Sequence, residues 1–107
     1  MHDELFKNLN ELFQAKARLG IMTVLTAMGD CDFSSLKAQL GLTDGNLSTH
    51  LRVLEEAGYL QLEKKFIKRK PKTYCRLTPT GREAFRLYLE QLELIIRLAR
   101  QEAEQRK

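Results

Sequence analysis

Apolar residues recur along the first third of the chain at the spacing of helices that bury one side. In both of two successive stretches they repeat every three or four positions, as one buried helical stripe requires. The pattern does not decide whether the two helices are continuous or break around Ala15–Ala17. The stripe positions are Leu5, Phe6, Leu9, Leu12 and Phe13 in the first stretch, and Leu19, Met22, Leu25 and Thr26, with Ile21 and Val24, in the second, which ends near Gly29-Asp30.

A helix-turn-helix pattern follows at about residues 33–58. Gly41 suits the C-terminal end of its first helix, and Thr43 offers a capping hydroxyl to a second helix that is predicted to run from about Asp44 to Ala57. Only Gly41 and Leu42 separate the first helix from that cap. Because the connection is so short, the helices must cross steeply, as in a helix-turn-helix. The predicted buried positions are Phe33, Leu36 and Leu40 in the first helix and Leu47, Leu51 and Leu54 in the second.

A β-hairpin is predicted next, at about residues 59–77. Tyr59–Glu63 and Thr73–Leu77 alternate in polarity and are rich in residues that favour strands. The zone between them, Ile67–Lys72, is broken by Pro71 and is interpreted as a turn. So small a hairpin is stable only when it packs on the helices.

A long helix is predicted at about residues 79–104, with Thr78 as its cap and Pro79 at its first position. Its main apolar positions have heptad-like spacing, and further large apolar residues lie outside that seam. This excess predicts the main contact of a homodimer, to which the N-terminal helix can contribute. The alternative is a helix folded back entirely on its own domain. The predicted interface residues are Phe85, Tyr88, Leu92, Ile95 and Ala99.

Charge adds a functional expectation to this architecture. Lys64–Arg76 holds seven of the 18 basic residues and no acidic one, so the rest of the chain has 11 basic against 14 acidic residues. A basic hairpin beside a helix-turn-helix predicts a DNA clamp. Lysines that protect edge strands from aggregation are the alternative, but they explain only one or two per strand. The predicted DNA contacts of the hairpin are Lys68, Arg69, Lys70 and Lys72.

The second helix of the helix-turn-helix carries short polar side chains opposite its apolar stripe. Such side chains near a helix N-terminus can approach base edges and phosphates closely. The alternative is that they are only caps and solvated surface. His50 lies at the edge of the stripe and is expected to be packed and hydrogen-bonded. The predicted DNA contacts of this helix are Thr43, Gly45, Asn46, Ser48, Thr49 and Arg52.

Other classes of function lack support in the residues. The length of 107 residues suits one domain, 1–107, without a membrane span or a secretory leader, and predicts a cytoplasmic protein. The sequence has no Gly-rich phosphate loop and no histidines at the spacing of metal ligands, so it predicts neither an enzyme nor a bound metal or cofactor. Cys31 and Cys75 lie 44 positions apart and are interpreted as reduced thiols that fill space, with redox sensing as the alternative.

The segments LSTHLRVLEEAGYL and LTPTGR, joined by the basic hairpin, resemble winged helix-turn-helix transcriptional regulators of the MarR/ArsR type, in particular their small stand-alone DNA-binding group. The resemblance covers about Arg18 to Ile96. It implies an α+β, mainly α fold, with a two-stranded wing and a long C-terminal dimerisation helix. It also implies a homodimeric repressor of a pseudo-palindromic operator. Metal ligands of the ArsR type are missing, and no effector is indicated. A winged-helix module for protein or RNA contact is the alternative function.

Overall fold

The structure, a computed structural model, describes residues 3–106 as helices around one small antiparallel sheet. The predicted fold, mainly helical with a hairpin wing and a long last helix, is confirmed. The helices are α1 (Asp3–Lys7), α2 (Lys16–Met28), α3 (Phe33–Leu40), α4 (Asp44–Glu56) and α5 (Pro79–Gln105), with a 3-10 helix at Glu11–Phe13, and the strands are β1 (Cys31–Asp32), β2 (Leu60–Ile67) and β3 (Lys70–Leu77).

The N-terminal helical pattern is interrupted twice. α1 ends at Lys7, and Asn10 then caps the 3-10 helix by accepting a hydrogen bond from the Leu12 amide at 3.0 Å. The chain breaks again at Ala15, where an extended residue precedes α2. The Asn10 side chain also donates to the Tyr59 hydroxyl at 2.8 Å. The apolar spacing is therefore shared by short helical pieces that pack on the same core.

Phe13 lies at the centre of the core. Its ring centroid is 5.3 Å from each of the rings of Tyr59, Phe85 and Tyr88, which is the usual spacing of interacting aromatic pairs. Phe85 and Tyr88 belong to α5, and they are only 2% and 5% exposed. The expectation that these two side chains face a partner is therefore wrong. Heptad-like spacing marks a helix face that meets an apolar surface, and here the first half of that face meets its own domain.

The helix-turn-helix has the predicted capping. Gly41 ends α3 in the left-handed conformation with a φ of 63°, which favours glycine. The Thr43 hydroxyl accepts from the Asn46 amide at 3.1 Å and starts α4. Helix α4 then buries its predicted stripe, Leu47, Leu51 and Leu54, against the core. These caps and this stripe fix the side of α4 that remains exposed.

The sheet has the strand order β1-β3-β2, so the hairpin is joined to the helix-turn-helix through β1. The predicted turn zone is too long, because the strands continue to a turn of two residues, Lys68 and Arg69. Pro71 lies inside β3, opposite Phe66. β1 pairs only with Tyr74 and Cys75, so β3 is an edge strand on that side at Pro71, and an edge tolerates a residue without an amide hydrogen.

The start of α5 is fastened to the end of α4. The Thr78 hydroxyl donates to the Gly58 carbonyl at 2.6 Å and accepts from the Gly81 amide at 2.9 Å. A Cβ atom on Gly81 would lie 2.0 Å from the Tyr59 carbonyl oxygen, so this position has room only for glycine. The threonine and glycine of the TPTG sequence thus set the direction in which α5 leaves the domain.

The far half of α5 extends away from the rest of the molecule. The principal extents are 63 × 24 × 22 Å, and the Cα radius of gyration is 16.6 Å. A compact domain of this length would have a radius of about 13 Å. Among residues 3–106, no helix combines the length and the apolar composition that a bilayer crossing requires.

Candidate nucleic-acid interface

The exposed side of α4 carries all six predicted contacts of the reading helix. Thr43, Gly45, Asn46, Ser48, Thr49 and Arg52 are all exposed. Two of their hydroxyls already have partners within the helix. Thr43 accepts from the Asn46 amide, while Thr49 donates to the Gly45 carbonyl at 2.9 Å. Thr43 therefore retains its hydrogen for a phosphate oxygen, and Thr49 retains lone pairs that can accept from a base amino group.

A cleft of about 580 Å³ separates α4 from the hairpin of β2 and β3, hereafter the wing. Ser48 and Arg52 line it from α4, and Lys64 and Thr73 line it from the wing. Lys64 and Thr73 are register partners, so they share one face of the hairpin. Glu55 also lines the cleft and is the acidic group that faces these cations. The fold thus brings the reading helix and one arm of the wing to the same side.

His50 has a structural partner, as its position predicted. An Arg18 guanidinium nitrogen lies 3.1 Å from the His50 Nδ1 atom, and the Arg18 Nε group donates to the Leu12 carbonyl at 2.6 Å. Guanidinium only donates, so Nδ1 is the acceptor. Burial, followed by the charge of Arg18, lowers the pKa of His50. A neutral His50 therefore joins α4 to α2 and adds no positive charge to the interface.

Three wing cations form ion pairs with three acidic residues, and these six residues are hereafter called the wing base. Arg76 pairs with Asp30 at 2.9 Å and with Glu63 at 3.6 Å. Lys72 lies 3.6 Å from Asp32, and Lys65 lies 4.0 Å from Glu63. Lys72 is one of the predicted DNA contacts. Because it lies close to the Asp32 carboxylate, its charge is partly neutralised. The wing base consists of Lys65, Lys72, Arg76, Asp30, Asp32 and Glu63.

The wing tip, defined as Lys68, Arg69 and Lys70, has no ion pair with any acidic residue of the described range 3–106. Lys68 and Arg69 have φ values of 52° and 67°, so both central residues of the turn are left-handed. A two-residue hairpin turn of this kind strongly prefers Asn-Gly, Asp-Gly or Gly-Gly. The sequence therefore places long cations where turn stability alone favours other residues.

An acidic residue, Asp44, lies at the start of α4, where its carboxylate would repel a phosphate. Asp44 is in the first turn of that helix, and its carboxylate is 2.8 Å from the Lys37 ammonium of α3. The pair offsets the negative charge while Asp44 keeps its favourable position at the positive end of the helix. The helix N-terminus thus remains compatible with a nearby phosphate.

Two features of this surface were absent from the sequence interpretation. Phe66 is 75% exposed and, by register with Pro71, lies on the same wing face as Lys64. Asp30 and Asp32 received no role from the sequence, yet they pair with Arg76 and Lys72 of the wing. The two-residue strand β1 is too short to show alternation in the sequence. Among the described residues, no group of three His, Cys, Asp or Glu side chains could hold a metal ion.

Comparison with known proteins identifies this arrangement. Residues 17–96 match the winged helix DNA-binding domain family. An uncharacterized protein of Methanocaldococcus jannaschii is 39% identical over 82 residues, which cover 77% of this chain and 89% of that protein. A transcriptional regulator homologue from Pyrococcus horikoshii OT3 is 35% identical, with a TM-score of 0.78 over 87% of this chain and 94% of that one.

A DNA-bound structure has the same fold. The overoxidized form of AbfR bound to DNA is 18% identical, with a TM-score of 0.70, and the match covers 95% of this chain and 78% of that chain. At this identity the likeness concerns the fold alone. The family match covers the DNA-binding domain itself, because residues 17–96 include both helices of the helix-turn-helix and the whole wing. The chain therefore belongs to the winged helix DNA-binding domain family, as a regulator of the winged helix-turn-helix type.

Proposed function

We propose that this protein is a sequence-specific regulator of double-stranded DNA that acts as a homodimeric repressor of a pseudo-palindromic operator. The observation that carries the proposal is the shared cleft in which Ser48 and Arg52 of α4 face Lys64 of the wing. A helix with short polar side chains enters the major groove, while the cationic wing contacts the phosphate backbone beside it. Both surfaces then contact one stretch of duplex.

The side chains of α4 supply specificity in this scheme. Thr49 accepts a hydrogen bond from the amino group of cytosine or adenine, because its own hydrogen is held by Gly45. Arg52 lies about two turns into the helix and reaches a guanine edge or a phosphate. Thr43 donates to a phosphate at the start of the helix. These contacts fix both the register and the sequence that is read.

The cations of the wing supply sequence-independent affinity. Lys68, Arg69 and Lys70 project from the end of the hairpin without acidic partners in the described residues. Each phosphate that they neutralise releases condensed counterions, so binding weakens as the salt concentration rises. In the scheme proposed here, Arg69 also suits a narrow minor groove, where arginine is attracted by the strong negative potential.

The dimer is proposed from the far half of α5. On a helical wheel its apolar residues from Leu87 onward cover roughly 220° of arc, which is more than twice the width of one buried stripe. Of the predicted interface positions, Leu92 still packs against the domain core, whereas Ile95 is only partly buried and Ala99 is exposed. The flanks are also uncovered: Leu87 and Ile96 are 50% and 49% exposed, and Leu94 is 38% exposed. A second copy of the helix covers these flanks in an isologous contact.

In the proposed dimer, the extended helix α5 sets the distance between the two reading helices. A two-fold axis near α5 presents two reading helices about 34 Å apart, which matches successive major grooves on one side of the duplex. A repressor requires fewer interaction surfaces than an activator, which must also contact the transcription machinery. A dimer held on its operator excludes other proteins from the same DNA, and this requires only the DNA-reading and dimer surfaces.

The first test is a fluorescence-anisotropy titration with random duplex DNA at several salt concentrations. A dimer that neutralises about eight phosphates should give a slope of log K against log salt near −7. A monomeric protein that does not bind duplex DNA would contradict the proposal and favour a protein-contact module. Preference for single-stranded RNA over duplex DNA would favour the RNA-binding alternative.

The dimer surface is tested separately by sedimentation. Leu94→Glu places a carboxylate on the exposed apolar flank of α5 and should convert the dimer to a monomer. Arg97→Glu introduces the same side chain three residues further along, on the polar side of the helix, and should leave the dimer intact. Equal behaviour of the two variants would mean that the Leu94 flank is not the interface.

A further inference from the structure

The two cysteines, distant in sequence, are direct neighbours in the sheet. Cys31 of β1 and Cys75 of β3 are antiparallel register partners, and both are free thiols. Residues directly opposite each other in antiparallel strands have Cα atoms about 4.5 or 5.5 Å apart, with side chains on the same face. Both spacings fall within the range of about 4.4–6.8 Å that disulfides require. The register thus allows a bond that the sequence spacing gave no reason to expect.

We propose that Cys31 and Cys75 form an oxidation site, at which a hydroperoxide converts the two thiols into an intramolecular disulfide between β1 and β3. In the first step, the Cys31 thiolate attacks hydrogen peroxide, breaks the O–O bond and yields a sulfenic acid and hydroxide. In the second, the Cys75 sulfur displaces the sulfenic oxygen as water, and the S–S bond forms. Overall, two thiols and one peroxide give one disulfide and two waters.

Burial determines which sulfur reacts first. Cys75 lies in the central strand and is 0% exposed, while Cys31 lies in the edge strand and is 9% exposed. A small oxidant therefore reaches Cys31 before Cys75. The Cys31 thiol also points toward the chain before β1, since it donates to the Gly29 carbonyl at 3.5 Å. Cys31 is thus the thiol that reacts with the peroxide, and Cys75 is the resolving one.

The electrostatic surroundings make this a slow site. Burial, followed by the negative charges of Asp32 and Asp30, raises the pKa of Cys31. Burial first, with smaller effects from Cys31, Asp32 and Glu55, raises the pKa of Cys75 to about 12. Rapid peroxide sensors instead have thiols of lowered pKa. The pair therefore responds to sustained oxidation and not to a brief pulse of peroxide.

The location of the bond gives it a consequence for the DNA-reading unit. The loop that it closes runs from Cys31 to Cys75 and contains α3, α4 and β2. Asp32, next to Cys31, caps α3 by accepting from the Ser35 amide at 2.8 Å. The bond would therefore tie the start of the helix-turn-helix to the wing. Closing so long a loop restricts the unfolded chain and should lower the unfolding constant on the order of a hundredfold.

The test is overnight exposure of the dilute, folded protein to hydrogen peroxide, followed by denaturation and thiol counting. We expect the two thiols of each chain to disappear, to return on reduction, and to leave a chain that migrates as a monomer on a non-reducing gel. Cys31→Ala and Cys75→Ala are the matched controls, and neither should form an internal bond. The oxidised wild type should also melt at a higher temperature than the reduced protein.

Other products would overturn the proposal. Two intact thiols after prolonged oxidation would mean that the register partners cannot approach each other. Bonds only between chains, or irreversible oxidation of Cys31 alone, would mean that Cys75 does not resolve the sulfenic acid. These readouts use the wild-type chain, so they hold even if a cysteine variant folds poorly.

Discussion

The two ends of the wing carry similar cations in opposite electrostatic settings. At the wing base, Lys65, Lys72 and Arg76 face the three acids Asp30, Asp32 and Glu63. At the wing tip, Lys68, Arg69 and Lys70 meet no acid of the described residues. The basic run that looked uniform in the sequence is therefore divided. Its base is an ion-paired attachment to the helix-turn-helix, and its tip is an unneutralised surface that is available to a polyanion.

The backbone shows the same division. On the side of the base, β2 and β3 are regularly paired strands, and β3 also pairs with β1 at Tyr74 and Cys75. The tip is a two-residue turn with φ values of 52° and 67° at Lys68 and Arg69. Left-handed geometry costs an ordinary residue roughly 1 kcal/mol, and glycine would avoid this cost. Turn stability does not explain cations at these positions, whereas the proposed contact with phosphates does.

Neutralising the tip should have the largest effect on DNA binding. Arg69→Ala with Lys70→Ala removes four cations from a dimer, so the salt slope should fall from about −7 to about −3.5. Affinity for every duplex sequence should fall on the order of a hundredfold at moderate salt. Thermal stability should change little, because these side chains have no partners in the described residues. Titration of operator and random duplexes at several salt concentrations measures each quantity.

The matched control removes the same charge from the far end of the molecule. Arg97 and Arg100 are exposed on the polar side of α5, and their replacement by alanine should leave the slope nearly unchanged. If both double variants lose the same slope, net charge and not the position of the tip governs binding. The division of the wing would then have no functional meaning.

Replacing the turn by the residues it prefers should separate stability from affinity. Lys68→Asn with Arg69→Gly relieves the left-handed strain and should stabilise the protein by about 1 kcal/mol. The same change removes two tip cations and should weaken DNA binding. Urea unfolding and anisotropy titration measure the two effects. A variant that loses stability as well as affinity would mean that the native side chains hold the turn through contacts of their own.

Much of this arrangement is readable from the sequence, and the missing parts have physical causes. The caps Thr43 and Thr78 and the stripe of α4 were predicted because each depends on residues close in the chain. The wing base was missed because Asp30 and Arg76 are 46 positions apart and meet only through the register of β1 and β3. Phe85 and Tyr88 were assigned to a partner because periodicity shows that a face is buried without showing what buries it.

A substitution in the reading helix α4 should affect sequence discrimination, in contrast to substitutions at the wing tip, which should affect all duplex sequences alike. Thr49→Ala should reduce discrimination between operator and random DNA by about 1 kcal/mol, with little effect on the salt slope. Thr23→Ala is the matched control, since Thr23 also donates to the carbonyl four residues earlier, at 2.7 Å, but lies on α2. An equal loss on operator and random duplexes would mean that Thr49 contacts only the backbone.

The smallest effect on DNA is expected at the wing base. Arg76→Ala removes the contacts to Asp30 and Glu63 and should lower the melting temperature slightly, with no change in the salt slope, because exposed ion pairs contribute little. Asp30→Ala should have a similar effect on melting, and the double variant should lose less stability than the sum of the two single losses, because the two side chains interact. Strict additivity would mean that the two side chains do not interact in solution. A fall in salt slope for Arg76→Ala would place this arginine on the phosphate backbone, and the boundary between base and tip would move toward the core.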